Sequence, residues 1–291
     1  MPVLATLPLI VALTMSQPSA ASGQDGVPAA LVSASRPARI PAEPSDLLTH
    51  SPLTACHAGD APGVAASKRS RIATWNIRAA RSAPVAAIAR ELKAMQADVI
   101  ALQEVDVRTR RTGFVDEPAA LATALGFHYV FAASIKWDEG DYGLAILSRW
   151  PLTEVRRHRL TATGAAEPRI VLEVTVCADG RPLRLFNHHA DGRVASRRIG
   201  FAELREILQA DVGHGLLVLG DFNERPDAPG VRSLIDAGLV DLGADDNADT
   251  ADSGRIDYLL ADGPLARRTS RARVWRTDKS DHNAVLVDVE W

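Results

Sequence analysis

The chain is poor in cysteine, which excludes most of the metal sites and scaffolds that cysteine builds. Its 291 residues contain only Cys56 and Cys177, and neither has a second cysteine at the short spacing of a zinc or redox motif. A redox or zinc protein built on these cysteines and the histidines is therefore a weak hypothesis. In an oxidising compartment the two thiols could pair. The sequence leaves that disulfide open, because it does not show how close the two Cα atoms come.

The chain also lacks an overall positive charge. Its formal net charge is −3 at pH 7, so no whole-molecule field attracts nucleic acid. Arginine clusters locally at 108–111, 156–159 and 267–273, which is typical of a solvated surface; a patch for a phosphate-bearing substrate is the alternative. Aromatic residues make up 5% of the chain, and the segment 105–132 has no series of aromatic side chains on which bases would stack.

Long hydrophobic runs are absent beyond the N-terminus. The run VLATLPLIVALTM at residues 3–15 is short for a transmembrane helix. Small residues follow it and offer a cleavage position after Ala21. We therefore predict a signal peptide at 1–21 and a secreted or cell-envelope protein, although no Lys or Arg precedes the run. A retained N-terminal anchor is the alternative.

The composition and periodicity of the chain predict one folded domain after an irregular segment. Residues 22–70 are rich in Pro, Ala, Ser and Gly without periodicity, which predicts a linker or arm. From residue 71 to 291, strand patterns outnumber helix patterns, and the helices lie between groups of strands, which predicts a sheet core flanked by helices. Strand patterns occur at 71–77, 98–105, 143–148, 169–176, 183–187, 216–220, 255–260, 273–277 and 284–291, and helix patterns at 82–96, 116–126, 194–210 and 230–237.

Two local features refine these predictions. Ser82 is a candidate cap for the first helix. The segment 169–176 alternates apolar and polar residues, which predicts a strand with one covered face.

Several predicted strands end in side chains that bind hard metal ions or carry protons. Most have an ordinary alternative: a strand amide is usually structural, an acid after a strand is often its exit to the surface, and Asp-x-Asn after glycine is often a turn. Asp257 is harder to dismiss, because a carboxylate inside an apolar strand needs a partner. The strand-end residues are Asn76, Glu104, Asn187, His188, His189, Asp221, Asn223, Asp257, Asp281 and His282.

This set of residue types has a chemical meaning. Oxygen ligands without cysteine favour Mg²⁺ or Mn²⁺ over zinc. Histidines exchange protons near neutral pH. A metal ion that takes up charge on phosphoryl oxygens, a base that activates water and an acid for the leaving oxygen are what phosphate-ester hydrolysis requires.

The motifs resemble a known family. TWNI, LQEVD, YGLAILSRWPL, NHHAD, GDFN, RIDYLL and SDH occur in the order found in the endonuclease/exonuclease/phosphatase superfamily. That group includes deoxyribonuclease I, abasic-site endonucleases, neutral sphingomyelinases and inositol-polyphosphate 5-phosphatases. The resemblance covers residues 71–291. It implies an α/β (α+β) fold, a deoxyribonuclease I-like four-layer sandwich of two mixed β-sheets flanked by helices.

The same resemblance implies a role for each site residue. Glu104, Asn76 and Asp281 belong to the expected Mg²⁺ or Mn²⁺ site, with Glu104 as the principal ligand. Asp257 is expected to orient the base His282, and His189 to stabilise a phosphoryl oxygen or act as the acid. Asp221 and Asn223 are expected to bind phosphate, orient the attacking water or hold a second metal. Arg169, in the segment EPR, and Tyr142 are expected near the substrate phosphate, although core packing is an equal alternative for Tyr142.

One motif departs from the family pattern. Family members usually read Asn-Thr-His-Leu, whereas this chain reads Asn187-His188-His189-Ala190. Because side chains alternate along a strand, Asn187 and His189 share a face and His188 points away. His189 is therefore the predicted site histidine, with His188 as the alternative.

The leading hypothesis is a secreted, divalent-metal-dependent phosphodiesterase in which a His/Asp pair activates water. Nucleic acid and a lipid headgroup both remain open as substrates. The alternative is a non-catalytic module that binds a phosphate ligand on the same fold. No stable protein partner is predicted, and a monomer is expected.

Overall fold

The computed structural model describes residues 48–50 and 69–291. Its strands are β1 (Leu48–His50), β2 (Arg69–Asn76), β3 (Val99–Val107), β4 (His128–Trp137), β5 (Gly140–Ser148), β6 (Leu152–Arg159), β7 (Ile170–Ala178), β8 (Arg181–His189), β9 (Leu216–Asp221), β10 (Leu239–Asp241), β11 (Asp257–Asp262), β12 (Arg273–Trp275) and β13 (Ala284–Glu290). The α-helices are α1 (Val85–Met95), α2 (Glu117–Leu125), α3 (Val194–Gln209), α4 (Pro229–Asp236) and α5 (Gly263–Ala266).

The strands form two mixed sheets. The first has the order β1-β4-β5-β3-β2-β13-β12, and the second has the order β10-β11-β9-β8-β7-β6. The pairs β2–β3 and β8–β9 are parallel, and the other pairs are antiparallel. Each sheet therefore has one parallel pair near its centre, whose two strands end at the same edge.

Apolar side chains fill three layers. Between the sheets, Ile72 of the first sheet shares a buried cluster with Leu172 and Leu219 of the second. Helices α1 and α2 cover the outer face of the first sheet, for example through Ile88. Helices α3 and α4 cover the outer face of the second, for example through Phe201. The resulting order of helix, sheet, sheet and helix confirms the four-layer sandwich implied by the sequence.

Local details agree with the sequence in part. Helix α2 is flanked by the predicted residues: Asp116 caps its start, with a side chain that accepts from the Ala119 N–H at 3.2 Å, and Gly126 caps its end. Helix α1 begins after Pro84 without a side-chain cap, so the prediction for Ser82 was wrong. Strand β7 is buried along its whole length. Its second face is covered because polar residues such as Glu173 lie beneath neighbouring arginines.

The N-terminal predictions fall mostly outside the described residues. This applies to the signal peptide at 1–21 and to most of the linker at 22–70. From the linker, the structure describes β1, which pairs with β4, and the start of β2. Cys177 in β7 is disulfide-bonded, and Cys56 lies outside the described residues. Within 48–50 and 69–291, no helix combines the length and apolarity that a bilayer crossing requires.

Candidate active site

Side chains from both sheets meet where the parallel strands end. Asn76 is the last residue of β2, and His189 and Asp221 are the last residues of β8 and β9. The parallel register aligns His189 with Asp221, and the antiparallel register of β9 and β11 aligns Asp221 with Asp257. Strand pairing therefore places three predicted site residues side by side on the second sheet.

Asn76 connects the two sheets through its side-chain amide. Its Nδ2 donates to Glu104 Oε1 and to Asp221 Oδ2, each at 3.0 Å. Its Oδ1 accepts from the Arg78 backbone N–H at 3.0 Å. Asn76 is fully buried, where hydrogen bonds are stronger than in water. In this arrangement Asn76 orients the two carboxylates, and its role as a metal ligand stays a prediction.

Glu104 is aimed at the site by a β-bulge in β3. The register with β5 shifts between Leu102 and Val105, and Glu104 has a φ of 51°, a conformation that residues other than glycine rarely adopt. Bulges re-aim side chains, and such strain is concentrated at functional sites. Glu104 Oε1 is held by Asn76, while its Oε2 accepts no hydrogen bond from residues 69–291.

The GDFN segment depends on glycine. Gly220 has a φ of 135°, and a Cβ atom there would lie 1.8 Å from the His188 carbonyl oxygen, so only glycine allows β9 to approach β8 this closely. Asn223 then donates its backbone N–H to Asp221 Oδ1 at 2.9 Å and its Nδ2 to the Ala190 carbonyl at 3.0 Å. The turn thus fixes the Asp221 carboxylate from the residue that follows the strand.

Asp257 and His282 form a buried hydrogen-bonded pair. Asp257 Oδ2 lies 2.9 Å from His282 Nδ1, which leaves His282 Nε2 3.8 Å from Asp221 Oδ2. Burial lowers the pKa of His282, but the hydrogen bond and charge of Asp257 and the charge of Asp221 outweigh it and raise the pKa to about 9. Asp257 therefore both orients the ring and stabilises its protonated form.

Asp221 lies at the centre of the cluster. It is almost fully buried, and its Oδ2 lies 3.4 Å from His189 Nε2. Burial, followed by the charge of Asp257, raises the pKa of Asp221 to about 7. Asp221, Asp257 and His282 each offer an atom within 4.8 Å of the others. The cluster therefore combines acidic and basic groups close enough to pass a proton between them.

Comparison with known proteins identifies the family. The family model described as "Endonuclease/Exonuclease/phosphatase family" matches residues 73–282. The chain belongs to this family. The match spans the strands that carry Asn76, Glu104, His189, Asp221 and Asp257. Members of the endonuclease/exonuclease/phosphatase family are phosphoester hydrolases, among them nucleases and phosphatases.

Individual family relatives are distant. "Uncharacterized protein YbhP" from Escherichia coli (strain K12) is 25% identical over 161 residues, which is 52% of this chain and 63% of that protein. The chain thus spans less than two thirds of that relative's length. An AP endonuclease from Archaeoglobus fulgidus aligns with a TM-score of 0.58 and 20% identity over 75% of this chain and 98% of that one. A mannosyl-6-phosphatase from Bacteroides thetaiotaomicron aligns with a TM-score of 0.62 and 18% identity over 76% and 100%. At these identities the two structures share the fold.

His189 faces Asp221, and His188 lies on the opposite face of β8. Arg169 Nη1 donates to His189 Nδ1 at 3.0 Å, so the ring proton lies on Nε2, towards Asp221. Burial and the Arg169 charge hold the pKa of His189 well below its usual value, so the neutral ring offers an N–H donor. His188 packs against Phe201, and burial lowers its pKa to about 4. Strand alternation therefore anticipated the placement of both rings.

Arg169 and Tyr142 both border this site. Arg169 Nη1 lies 3.0 Å from Glu167 Oε1 in addition to its bond to His189. Burial and the Glu104 charge raise the pKa of Tyr142 above its usual value, so its hydroxyl keeps its proton and can donate it. Tyr142, Arg169 and His189 line one small cavity. Both residues therefore lie next to His189.

Asp281 lies further towards solvent than the other predicted residues. Its side chain is 44% exposed, and its Oδ2 lies 3.2 Å from Arg78 Nε. Arg78 is the first of three consecutive residues with positive φ, at 52°, 49° and 47°. This strained turn begins two residues after Asn76 and carries the partner of Asp281. Arg78 was not recognised from the sequence, because nothing in the local residue types signals a left-handed turn without glycine.

The oxygen ligands of the site fit a hard divalent cation. Glu104 Oε2 has no donor among the described residues, Asp281 is partly exposed, and the buried carboxylates of Asp221 and Asp257 add negative charge that a cation would offset. The trio of Asp221, Asp257 and His282 also has ligand spacing. However, although burial lowers the pKa of His282, the hydrogen bond and charge of Asp257 raise it to about 9, and a metal binds only deprotonated histidine. The oxygen ligands Glu104 and Asp281 therefore suit a hard divalent cation, and the trio suits proton transfer.

Buried amides join the two sheets beneath the site; the sequence singled out Asn187 as a strand-end residue but missed its partner Gln103. Asn187 Nδ2 donates to the Leu102 and Ala145 carbonyls at 3.0 Å each, and its Oδ1 accepts from Gln103 Nε2 at 2.8 Å. These bonds join the two sheets next to Glu104 and His189. The available signal was a polar residue inside an apolar strand, the same signal that singled out Asp257.

Arg111 is a further residue near the site. Its Nε and Nη2 donate to the two carboxylate oxygens of Asp106 at 2.6 and 2.7 Å. Its guanidinium carbon lies 5.4 Å from the ring centroids of both Trp137 and Tyr142. The arginine cluster at 108–111 therefore contributes one residue that braces Tyr142.

Proposed function

We propose that this chain is a divalent-metal-dependent phosphodiesterase that activates water with a His/Asp pair. The observation that carries the proposal is the convergence of Glu104, Asp221 and the Asp257–His282 pair, tied together by the two hydrogen bonds that Asn76 donates. Cation ligands, a proton acceptor and donors to phosphoryl oxygens are the components of metal-assisted ester hydrolysis. Membership of a family of phosphoester hydrolases supports the same reaction class.

The phosphoryl oxygens of the substrate would be bound by a divalent cation and by two side chains, His189 and Arg169. Glu104 and Asp281 would hold the divalent cation, which when bound supplies positive charge to those oxygens. The neutral His189 ring offers its Nε2–H, and Arg169 offers a guanidinium held 3.0 Å from the same ring. Donors that are fixed before the reaction stabilise developing negative charge without reorganisation.

The attacking water would be activated between Asp221 and His282. Asp221 Oδ2 and His282 Nε2 are 3.8 Å apart, so one water oxygen can contact both. In the fraction of molecules in which His282 is deprotonated, Nε2 accepts the proton from water, and Asp257 at Nδ1 balances the positive charge that the ring acquires. Asn223 keeps the Asp221 carboxylate in place through its backbone N–H.

The activity test uses bis(p-nitrophenyl) phosphate and a matched pair of histidine variants. EDTA should abolish hydrolysis, and Mg²⁺ or Mn²⁺ should restore it. His282→Asn should lower turnover by about 10²–10⁴-fold, whereas His214→Asn, at an exposed position, should leave it unchanged. Hydrolysis that persists in chelator would contradict the metal dependence. Binding of phosphate esters without any hydrolysis would favour the non-catalytic module instead.

The class of phosphodiester is tested with a substrate panel. Plasmid DNA, RNA, sphingomyelin and phosphoinositide vesicles, and a phosphate monoester are each incubated with and without metal. A net charge of −3 gives no general attraction to a polyanion, so we expect a lipid headgroup ester to be cleaved faster than DNA. Faster cleavage of DNA would assign the chain to the nucleases.

We further propose that the protein is secreted. The apolar run at residues 3–15 and the small residues up to Ala21 support this. The expected mature N-terminus, determined by mass spectrometry of the protein from the cell envelope or medium, is Ser22. An intact N-terminus on membrane-bound protein would favour the retained anchor.

A further inference from the structure

The ion pair between Arg78 and Asp281 occupies one of the two carboxylates that would hold the cation. Arg78 Nε lies 3.2 Å from Asp281 Oδ2, and the two side chains are 42% and 44% exposed. A guanidinium and a divalent cation are both attracted to this carboxylate, and they repel each other because their charges have the same sign. Arg78 and a bound cation therefore compete for Asp281.

Both partners of this ion pair are attached to Asn76, the residue that joins the two sheets. The Arg78 backbone N–H donates to Asn76 Oδ1 at 3.0 Å. The hydroxyl of Ser280, which precedes Asp281 in the chain, donates to the Asn76 carbonyl oxygen at 2.8 Å. Because these bonds fix the backbone on both sides of the pair, a change of partner requires movement of the side chains alone.

The backbone that carries Arg78 is strained. Arg78, Ala79 and Ala80 have φ of 52°, 49° and 47°, a left-handed conformation that residues other than glycine disfavour. Such strain persists where the surrounding structure imposes it, and it is concentrated at functional sites. An exposed ion pair contributes little to stability, so it does not by itself account for this turn. The strained turn therefore indicates a further role for the guanidinium that it places beside the site.

We propose that Arg78 exchanges partners when the divalent cation binds. Arg78 pairs with Asp281 until Asp281 turns to the cation, and the released guanidinium then contacts the substrate phosphate. The inference rests on the proposed metal-dependent function, in which Glu104 and Asp281 hold the cation. It adds an order of events, because the cation site must be filled before Arg78 becomes available to the substrate.

The first test measures Mn²⁺ affinity without substrate, by isothermal titration calorimetry of the full chain. Arg78→Asn removes the charge and keeps the turn, because asparagine tolerates the left-handed conformation. This variant should bind Mn²⁺ about three- to fivefold more tightly than the wild type, and fivefold corresponds to about 1 kcal/mol. Arg81→Asn, at an exposed position just after the turn, is the matched control and should bind like the wild type. Equal or weaker binding by Arg78→Asn would overturn the exchange.

Ionic strength tests whether the gain in affinity comes from the lost charge. Salt screens exposed charges, so the ratio of the two Mn²⁺ affinities should be largest at about 20 mM KCl and approach one at about 500 mM. A ratio that stays constant over this range would show that the substitution acts through the structure of the turn, and the exchange would be wrong.

The second test measures hydrolysis of bis(p-nitrophenyl) phosphate at saturating Mn²⁺. Arg78→Asn should raise KM about tenfold, which corresponds to about 1.4 kcal/mol, because the phosphate loses a charged donor. The value of kcat should stay within about twofold, as expected for a contact made equally in the ground and transition states. A damaged site would bind both cation and substrate more weakly, whereas the exchange predicts tighter cation binding together with weaker substrate binding. An unchanged KM would refute the contact with phosphate.

The outcomes separate this inference from the proposed function. If the wild type binds Mn²⁺ and hydrolyses the diester, but Arg78→Asn matches it in both measurements, the exchange is refuted and the phosphodiesterase stands. If Arg78→Asn binds Mn²⁺ more tightly but no diester is hydrolysed, the phosphodiesterase proposal fails and the competition for Asp281 stands. Inorganic phosphate then replaces the diester in the second test, and its affinity should fall in Arg78→Asn. If the wild type does not bind Mn²⁺, both proposals fail.

Discussion

The buried carboxyl of Glu117 should make stability fall as the pH rises. Glu117 begins α2 and has no exposed surface. Its Oε2 accepts the Asp106 backbone N–H at 2.8 Å, but its Oε1 has no hydrogen-bond partner among the described residues. Burial, which outweighs that hydrogen bond, raises its pKa from 4.5 to about 8. Glu117→Gln removes the titrating group while keeping the size of the side chain.

The sign and size of the effect follow from proton binding. Between pH 4.5 and about 8 the folded chain keeps the Glu117 proton, whereas the unfolded chain releases it. The free energy of unfolding therefore falls as pH rises through this window and is flat above it. At about 1.4 kcal/mol per pKa unit, the loss is on the order of 2–5 kcal/mol. Glutamine stays neutral and keeps an acceptor for the Asp106 N–H, so the variant should avoid this loss.

Urea unfolding at about pH 5 and about pH 8.5 measures the difference. The wild-type chain and Glu117→Gln should have similar stability at the lower pH, and the variant should be more stable by a few kcal/mol at the higher one. Glu206→Gln, at an exposed position of α3, provides the matched control and should behave like the wild type. Parallel pH profiles for the wild type and Glu117→Gln would refute the reasoning.

Three further variants test the site and its framework. Asp257→Asn keeps the shape of the side chain but loses its charge, and should lower turnover by about 10²–10⁴-fold with a native circular dichroism spectrum; a wild-type rate would remove Asp257 from the mechanism. Gly220→Ala places a Cβ 1.8 Å from the His188 carbonyl and should lower the urea midpoint strongly, whereas Gly192→Ala, with open space around its Cβ, should change stability by less than about 0.5 kcal/mol. Asn187→Ala removes the donor to two carbonyls and one acceptor of the Gln103 amide, so it should destabilise the fold by about 3 kcal/mol in the same assay; a loss below about 1 kcal/mol would mean that water replaces the amide.

The fold was predictable where apolar residues run continuously. The strand patterns at 98–105, 143–148 and 216–220 correspond to β3, β5 and β9, because buried strands carry their signal in composition alone. Strands β4 and β6 were missed. Strand β6 contains several charged residues, among them Arg156, whose partner Glu173 on β7 lies 2.7 Å away. Because Arg156 and Glu173 meet only in the folded chain, no local sequence pattern predicts that β6 is a strand.

The residues of the site were more predictable than their geometry. The order of the motifs singled out Glu104, Asp221, Asp257 and His282, which the structure brings together. The bulge that aims Glu104 and the orienting role of Asn76 were not predictable. The bulge arises because neighbouring strands impose a backbone conformation that Glu104 itself disfavours. The role of Asn76 arises from carboxylates that β3 and β9 bring to its amide.

The amide of Asn76 has a consequence for how substrate enters. It joins the two sheets of the sandwich, because it donates to Glu104 on β3 of the first sheet and to Asp221 on β9 of the second. Separating the two sheets would break both hydrogen bonds and displace Glu104 and Asp221 before a substrate could bind. Substrate entry therefore depends on the loops around the site. Conformational change on binding should be confined to those loops, while Asn76, Glu104 and Asp221 keep their positions.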